Sequence, residues 1–324
     1  MPTLSPPDFW SRPGFVSGLL EPAAQAYAAF GAARRVFATP YRAPVPVICV
    51  GNLVVGGAGK TPIVESLARM LVAGNRKPAI LSRGYGGSEP GPLRVDPARH
   101  GAGSVGDEPV MLSNVAPAWV GRDRAAAARA ASDAGADCLI MDDGFQNPGL
   151  IKDLSLLAID GGYGLGNGRV MPAGPLREPA VAGLARADAV VMMGDDWFDL
   201  IPRLKKPVLR ATIVAVNGGD FAGKSVVAFA GIGRPEKFFA TLDKAGAQLV
   251  ARHGFPDHYL YSETDLRRLA DEATAKGATL VTTEKDRARL APAWRRRVAA
   301  LAVTVAWQDE AALSHLLDTV LRNG

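Results

Sequence analysis

The chain has 324 residues, 48% hydrophobic and 21% charged, with 37 Lys and Arg against 32 Asp and Glu and a formal charge of +5. That length favours two domains, the ordinary composition excludes a fibrous or low-complexity chain, and so small a basic excess permits an acidic partner without selecting phosphate, nucleic acid or lipid. The two cysteines, Cys49 and Cys138, each sit in an apolar run, which argues against a disulfide framework or a cysteine metal site and for a reduced, intracellular protein.

No stretch approaches the roughly 20 uninterrupted apolar residues that span a bilayer, and no charged segment followed by an apolar core opens the chain, so a cytoplasmic location is expected. Residues 1–43 read as an N-terminal segment. Within it, Glu21-Pro22 starts a helix with Ala23, Tyr27, Phe30 and Phe37 near one face, Phe9, Trp10, Leu19 and Leu20 upstream, and Arg34, Arg35 and Arg42 nearby. Such a helix either lies on a membrane surface or docks on the protein's own core.

Residues 44–217 read as a P-loop nucleotide-binding domain. The run Val47-Ile-Cys-Val-Gly51 is an apolar strand, Gly56, Gly57 and Gly59 form a glycine-rich turn, and Lys60-Thr61-Pro62 opens a helix that Gly74 stops. Glycines let backbone N–H groups curl around a phosphate, the helix start adds partial positive charge, Lys60 reaches the outer phosphates and Thr61 can ligate Mg²⁺. The usual pattern has glycine where this chain has Val54.

Further apolar runs, Pro78–Leu81, 138–141, 154–159 and 189–193, alternate with helical patterns, the signature of a mainly parallel sheet covered by helices. Ligands bind beyond the carboxyl ends of such strands. There, Asp142 and Asp143 end a buried strand and can serve the Mg²⁺ of a nucleotide. Gly106-Asp107-Glu108-Pro109 precedes a helical pattern, so Asp107 is either an N-cap or a general base, with Glu108 as its alternative. The loops around Arg83 and from Asn167 to Arg177 carry glycine and arginine suited to a phosphorylated substrate.

From residue 218 onward a second, smaller α/β domain is expected, with strands near 226–230, 248–251, 279–282 and 300–305, after a connection over 202–220; the cleft between domains would be a natural substrate site. Among four histidines, His258 stands out in a loop beside Asp257 and aromatics, while His100 and His315 receive no role. The run Arg295-Arg-Arg297 reads as a solvated surface, and no nucleic acid or protein partner is implied.

Taken in order, GNLVVGGAGKTP, LSRGYGG, VGDEP, DDGFQ, GNGRVMPAGPLREP, FPDH and TTEKD resemble the tetraacyldisaccharide 4′-kinase family, the lipid A 4′-kinases of Gram-negative bacteria. The resemblance implies ATP- and Mg²⁺-dependent phosphorylation of the 4′-hydroxyl of an acylated glucosamine disaccharide 1-phosphate, at the inner face of the inner membrane, which strengthens the membrane reading of the N-terminal helix. It implies that Lys60 and Thr61 serve the phosphates and Mg²⁺, Asp142 and Asp143 the metal region, and Asp107 the attacking hydroxyl, with His258 assisting across the domain cleft. Arg83, Gln146, Asn147, Asn167 and Arg177 are candidate substrate contacts. The family's DDGFQ segment usually continues with histidine, so a cationic contact there is lost at Asn147 while a neutral hydrogen bond survives. The rivals are a P-loop switch or partitioning protein, against which the Thr283-Glu-Lys285-Asp286 run lacks the guanine-reading spacing, and an ATP-dependent ligase, which would need a carboxylate acceptor.

Overall fold

A mostly apolar strand buried at every position is stable only where both faces of its sheet are covered, and five such strands build the centre of this protein. In the computed structural model, which describes residues 7–322, the strands in chain order are β1 (Val47–Gly51), β2 (Pro78–Ser82), β3 (Leu93–Arg94), β4 (Ala118–Val120), β5 (Cys138–Asp142), β6 (Leu154–Asp160), β7 (Ala189–Met193), β8 (Val208–Ala215), β9 (Ser225–Ala230), β10 (Gln248–Gly254), β11 (Thr279–Thr283), β12 (Ala299–Leu301) and β13 (Val303–Trp307). Residues 1–6 of the expected N-terminal segment, and 323–324, lie outside the described residues.

The larger sheet runs β13-β8-β7-β6-β1-β5-β2-β4-β3, with β1 to β2 and β4 to β8 parallel and β3 antiparallel at one edge. β1, β2, β5, β6 and β7 are buried at every position, Cys49 and Cys138 among them. β1 lies between β5 and β6, so the chain leaves it toward one half of the sheet and returns to the other. That reversal opens a crevice at the carboxyl end of β1. The following helix, Lys60–Ala73, turns Ile63, Val64, Leu67, Ala68 and Leu71 inward, a spacing that keeps one face on the sheet.

Contacts divide the described chain into a larger unit, 7–212 with 306–322, and a smaller one, 213–305. The end of β13 and the helix Glu310–Arg322, read from the sequence as part of the smaller domain, belong to the larger unit. The smaller unit is built on a four-stranded parallel sheet, β10-β9-β11-β12.

Two sequence expectations need correction. The stretch read as a connection over 202–220 contains β8, whose alternation of buried Leu209 and Ala211 with exposed Arg210 and Thr212 is a period-two signal rather than an apolar run. The single strand expected over 300–305 is two, β12 in the small sheet and β13 in the large one. β3 and β4, two and three residues long, were too short to announce themselves.

The helix Glu21–Val36 buries only Ala24, while Phe30 is 66% and Phe37 85% exposed. Docking by an apolar face on its own core is therefore not how it is held. Polar ties hold it instead: Arg169 reaches Glu21 at 2.7 Å and Arg35 reaches Glu178 at 3.3 Å. No helix of the described residues is long and apolar enough to cross a membrane.

Candidate active site

The turn after β1 has the features an anion site needs. Gly59 caps the helix in the left-handed region, φ 80°, which a side chain resists, and no side chain caps the helix, so its first N–H groups lack that partner. At Gly56 and Gly57 an added Cβ would meet nothing within 4 Å, leaving that side of the turn open. Val54, where the usual motif has glycine, is buried in a bridge to Leu176, and the turn is shaped from elsewhere: Asn52 Nδ2 donates to the carbonyls of Val54, 2.6 Å, and Gly56, 3.3 Å.

β5 delivers the two acids to this turn with opposite surroundings. Asp143 follows the strand in the left-handed region, φ 51°, a conformation that Asp tolerates better than most residues. Its Oδ1 accepts from Arg177 at 2.7 Å and lies 3.7 Å from Lys60 Nζ. Burial pushes this carboxyl up, but Lys60 and Arg177 outweigh it and hold the group below the usual carboxylate range. Asp142, 2% exposed, is raised instead, by burial first and then by the charges of Glu108 and Asp143; its Oδ1 is buried with no hydrogen-bond partner.

That orphaned oxygen is the test of whether the residues suit a divalent cation. An all-oxygen set of one buried carboxylate and the Thr61 hydroxyl fits Mg²⁺, which keeps waters and phosphate oxygens as its other ligands; among the described residues no cluster of three His, Cys, Asp or Glu offers an all-protein cage. Asp143, the other acid expected to serve the metal, is engaged by two cations, Arg177 and Lys60.

The VGDEP and LSRGYGG segments meet backbone to backbone, since a Cβ on Gly106 would come within 2.7 Å of the Tyr85 carbonyl, and φ of 89° there also calls for glycine. Gly106, not Asp107, is the helix cap. Asp107 is the first residue of the helix Asp107–Leu112, is 4% exposed, and its Oδ1 accepts from the Glu108 N–H at 3.0 Å. Because Glu108 is the strongest charge acting on Asp142, the two acidic segments share one electrostatic neighbourhood.

The other expected residues have different surroundings. Gln146 joins the cluster: its amide donates to the Asn52 carbonyl at 2.9 Å and to Glu178 at 3.1 Å, and its carbonyl lies 3.4 Å from Arg177. Arg83 is exposed, and its charge is felt by the buried Arg124. Asn147 Oδ1 accepts from the Gly149 N–H and its carbonyl accepts from Lys152, so the residue braces its own loop. Asn167 gives both amide hydrogens to backbone, to Phe9 and Ala173 carbonyls, and accepts from Arg169 N–H; its side chain anchors the loop instead of facing outward. His258 lies in the smaller unit, in the loop after β10, with φ of 57°.

Three participants went unmarked in the sequence. Asn52 directly follows an apolar strand, Glu178 follows Arg177, and Arg124, placed just after the N-cap Asp123, is drawn down to about 10 by burial while Asp142 opposes the shift. Glu178 is 2% exposed and accepts from Arg186 at 2.7 and 2.9 Å. A buried acid between arginines is legible only once the loop has folded.

Comparison with known proteins gives a consistent answer. A family model described as Tetraacyldisaccharide-1-P 4'-kinase matches residues 16–322. A protein named Tetraacyldisaccharide 4'-kinase in Rhodospirillum centenum is 54% identical, with 97% of this chain and 96% of that protein covered. One of the same name in Gluconacetobacter diazotrophicus is 53% identical over 96% and 97%. The crystal structure of LpxK from Aquifex aeolicus in complex with ATP superimposes with a TM-score of 0.77 at 29% identity, covering 95% of this chain and 100% of that one.

Proposed function

The chain belongs to the tetraacyldisaccharide-1-P 4′-kinase family, and from that premise we propose how its residues perform the reaction. The protein is a kinase of lipid A biosynthesis that uses ATP, with Mg²⁺, to phosphorylate the 4′-hydroxyl of a tetraacyldisaccharide 1-phosphate. One observation carries the residue assignment: an uncapped helix start, Lys60, the salt-bridged Asp143 and the orphaned Asp142 oxygen gather at the carboxyl ends of β1 and β5.

In this reading the amides over residues 56–61 and the Lys60 ammonium hold the outer phosphates of ATP. Thr61 and Asp142 would hold Mg²⁺, which would offset phosphate charge when bound. Asp143 fixes Lys60, and Arg177 in turn fixes Asp143. Asp107 takes the proton of the 4′-hydroxyl as its oxygen bonds to the γ-phosphorus; the bond from that phosphorus to the bridging oxygen breaks and ADP leaves. The chemistry is positioning and charge compensation, as phosphoryl transfer requires. His258 assists at the hydroxyl, Arg83 and Asn147 belong to the substrate side, and Asn167 serves the loop.

The exposed phenylalanines of the N-terminal helix, with Arg34 alongside, suit the surface of a lipid leaflet, and the inner face of the inner membrane is the surface proposed. The test is transfer of labelled γ-phosphate from ATP to the lipid disaccharide in mixed micelles. Label on the lipid that disappears in Asp142→Asn and Lys60→Ala supports the assignment; label released only as free phosphate by the unaltered protein overturns it in favour of a nucleotide switch.

A further inference from the structure

His258 is held by a hydrogen-bonded frame within the smaller unit. The frame begins with Asp286, fully buried, whose carboxylate accepts from the Gly231 N–H at 3.1 Å, the Tyr261 hydroxyl at 3.1 Å, the Thr283 hydroxyl at 2.7 Å and Arg289 Nη1 at 2.8 Å. Arg289 Nη1 also donates to the Gly231 carbonyl at 2.9 Å, and the side chain is 4% exposed, so the guanidinium has little freedom. Its other arm, Nη2, lies 3.3 Å from His258 Nδ1. The backbone of His258 is tied to the same point, because its N–H donates to the Gly231 carbonyl at 3.0 Å while the residue keeps its left-handed φ of 57°.

A guanidinium has donors only, so a hydrogen bond between it and Nδ1 requires the lone pair on Nδ1. A neutral ring then carries its hydrogen on Nε2. Asp257 Oδ1 lies 3.8 Å from Nε2, and a carboxylate on that side, being an acceptor, favours the same Nε2–H form. We propose that Arg289, clamped by Asp286, is a positioning residue that fixes His258 as the Nε2–H tautomer, so that the ring meets the reacting groups as a hydrogen-bond donor. The use of that donor rests on the role given to His258 above; the tautomer itself does not.

Breaking the buried pair at one partner leaves an unpaired charge and endangers folding, so the first test uses the unaltered chain. Long-range ¹H–¹⁵N spectra of the full-length protein, recorded where the imidazole is neutral, with His258 assigned by its loss in His258→Asn, should show the hydrogen on Nε2. A predominant Nδ1–H form, or an even mixture of the two, overturns the proposal. The second test removes the pair together, in Asp286→Asn with Arg289→Met, leaving no stranded charge. The expected result is a mixed tautomer and kcat lowered about 10- to 100-fold, with KM for ATP changed less than about twofold. An unchanged Nε2–H signature in the double variant also overturns it. If His258→Asn retains full transfer activity while the wild-type ring is Nε2–H, the catalytic role of His258 fails and the positioning by Arg289 stands.

Discussion

Asp107 and Asp142 are both nearly buried acids, yet they suit different tasks. Asp142 has an oxygen with no hydrogen-bond partner and is raised by burial and by neighbouring acids, so it gains most from a cation. Asp107 starts a helix and its Oδ1 accepts from the Glu108 N–H at 3.0 Å, and the role proposed for it is that of general base. Asp107→Asn keeps the shape and removes the base; kcat for lipid phosphorylation should fall by about 10²- to 10⁴-fold while nucleotide binding, followed by titration with an ATP analogue, changes little. Equal loss of binding would make Asp107 structural. Glu178 offers a stability test at the same scale. Burial would push its carboxyl up, but Arg186, Gln146 and Arg35 together hold it below the usual carboxylate range. A carboxyl lowered in the folded state stabilises the fold above its ordinary range and surrenders that contribution as the pH falls through and below that range. Glu178→Gln should therefore cost about 1.5–3 kcal/mol at neutral pH and show a shallower fall in thermal midpoint between roughly pH 5 and 3, measured by circular dichroism.

Whole elements show what pattern reading can and cannot recover. Every fully buried strand of the large sheet announced itself, because a run such as Cys138-Leu-Ile-Met has no other economical place in a folded chain. The phosphate turn was equally legible, since its glycines, lysine and threonine each answer a local requirement. β8 was not, because half its side chains face away from the core and mix with charge, and β13 was not, because only Ala302 separates it from the three-residue β12 of the other sheet. The network of Asn52, Gln146, Arg177 and Glu178 joins residues far apart in sequence, so no local spacing could encode it. The N-terminal helix was recognised, but that Phe30 and Phe37 would be exposed was not legible in its pattern. That element carries its own prediction. Phe30→Ser should leave the thermal midpoint nearly unchanged, within about 0.5 kcal/mol of stability, because nothing is unpacked. It should weaken sedimentation with anionic vesicles; unchanged sedimentation would remove the helix from membrane contact.

At the scale of the molecule, the chain leaves the larger unit after residue 212, builds the smaller parallel sheet, and comes back at 306 to finish what it started. The return is well anchored. Trp307 Nε1 donates to the Ser66 hydroxyl at 2.9 Å on the helix that begins with Lys60, Arg76 donates to the Leu321 carbonyl at 3.2 Å, and Leu313 and Leu317 are buried at 0% and 4% exposure. The last segment thus braces the back of the phosphate-binding helix, remote in sequence from it by some 240 residues. Burying two leucines accounts for about 3–6 kcal/mol, a large share of the net stability of a single domain. Removing residues 306–324 should therefore damage the nucleotide-binding unit. The expected outcome is a thermal midpoint lowered by several degrees and the loss of the upward shift that ATP with Mg²⁺ gives the full chain through mass action, both read by differential scanning fluorimetry. A truncated chain that still unfolds at the full-length temperature with its nucleotide shift intact would mean that the terminal helix is an appendage, and that the larger unit is complete at residue 212.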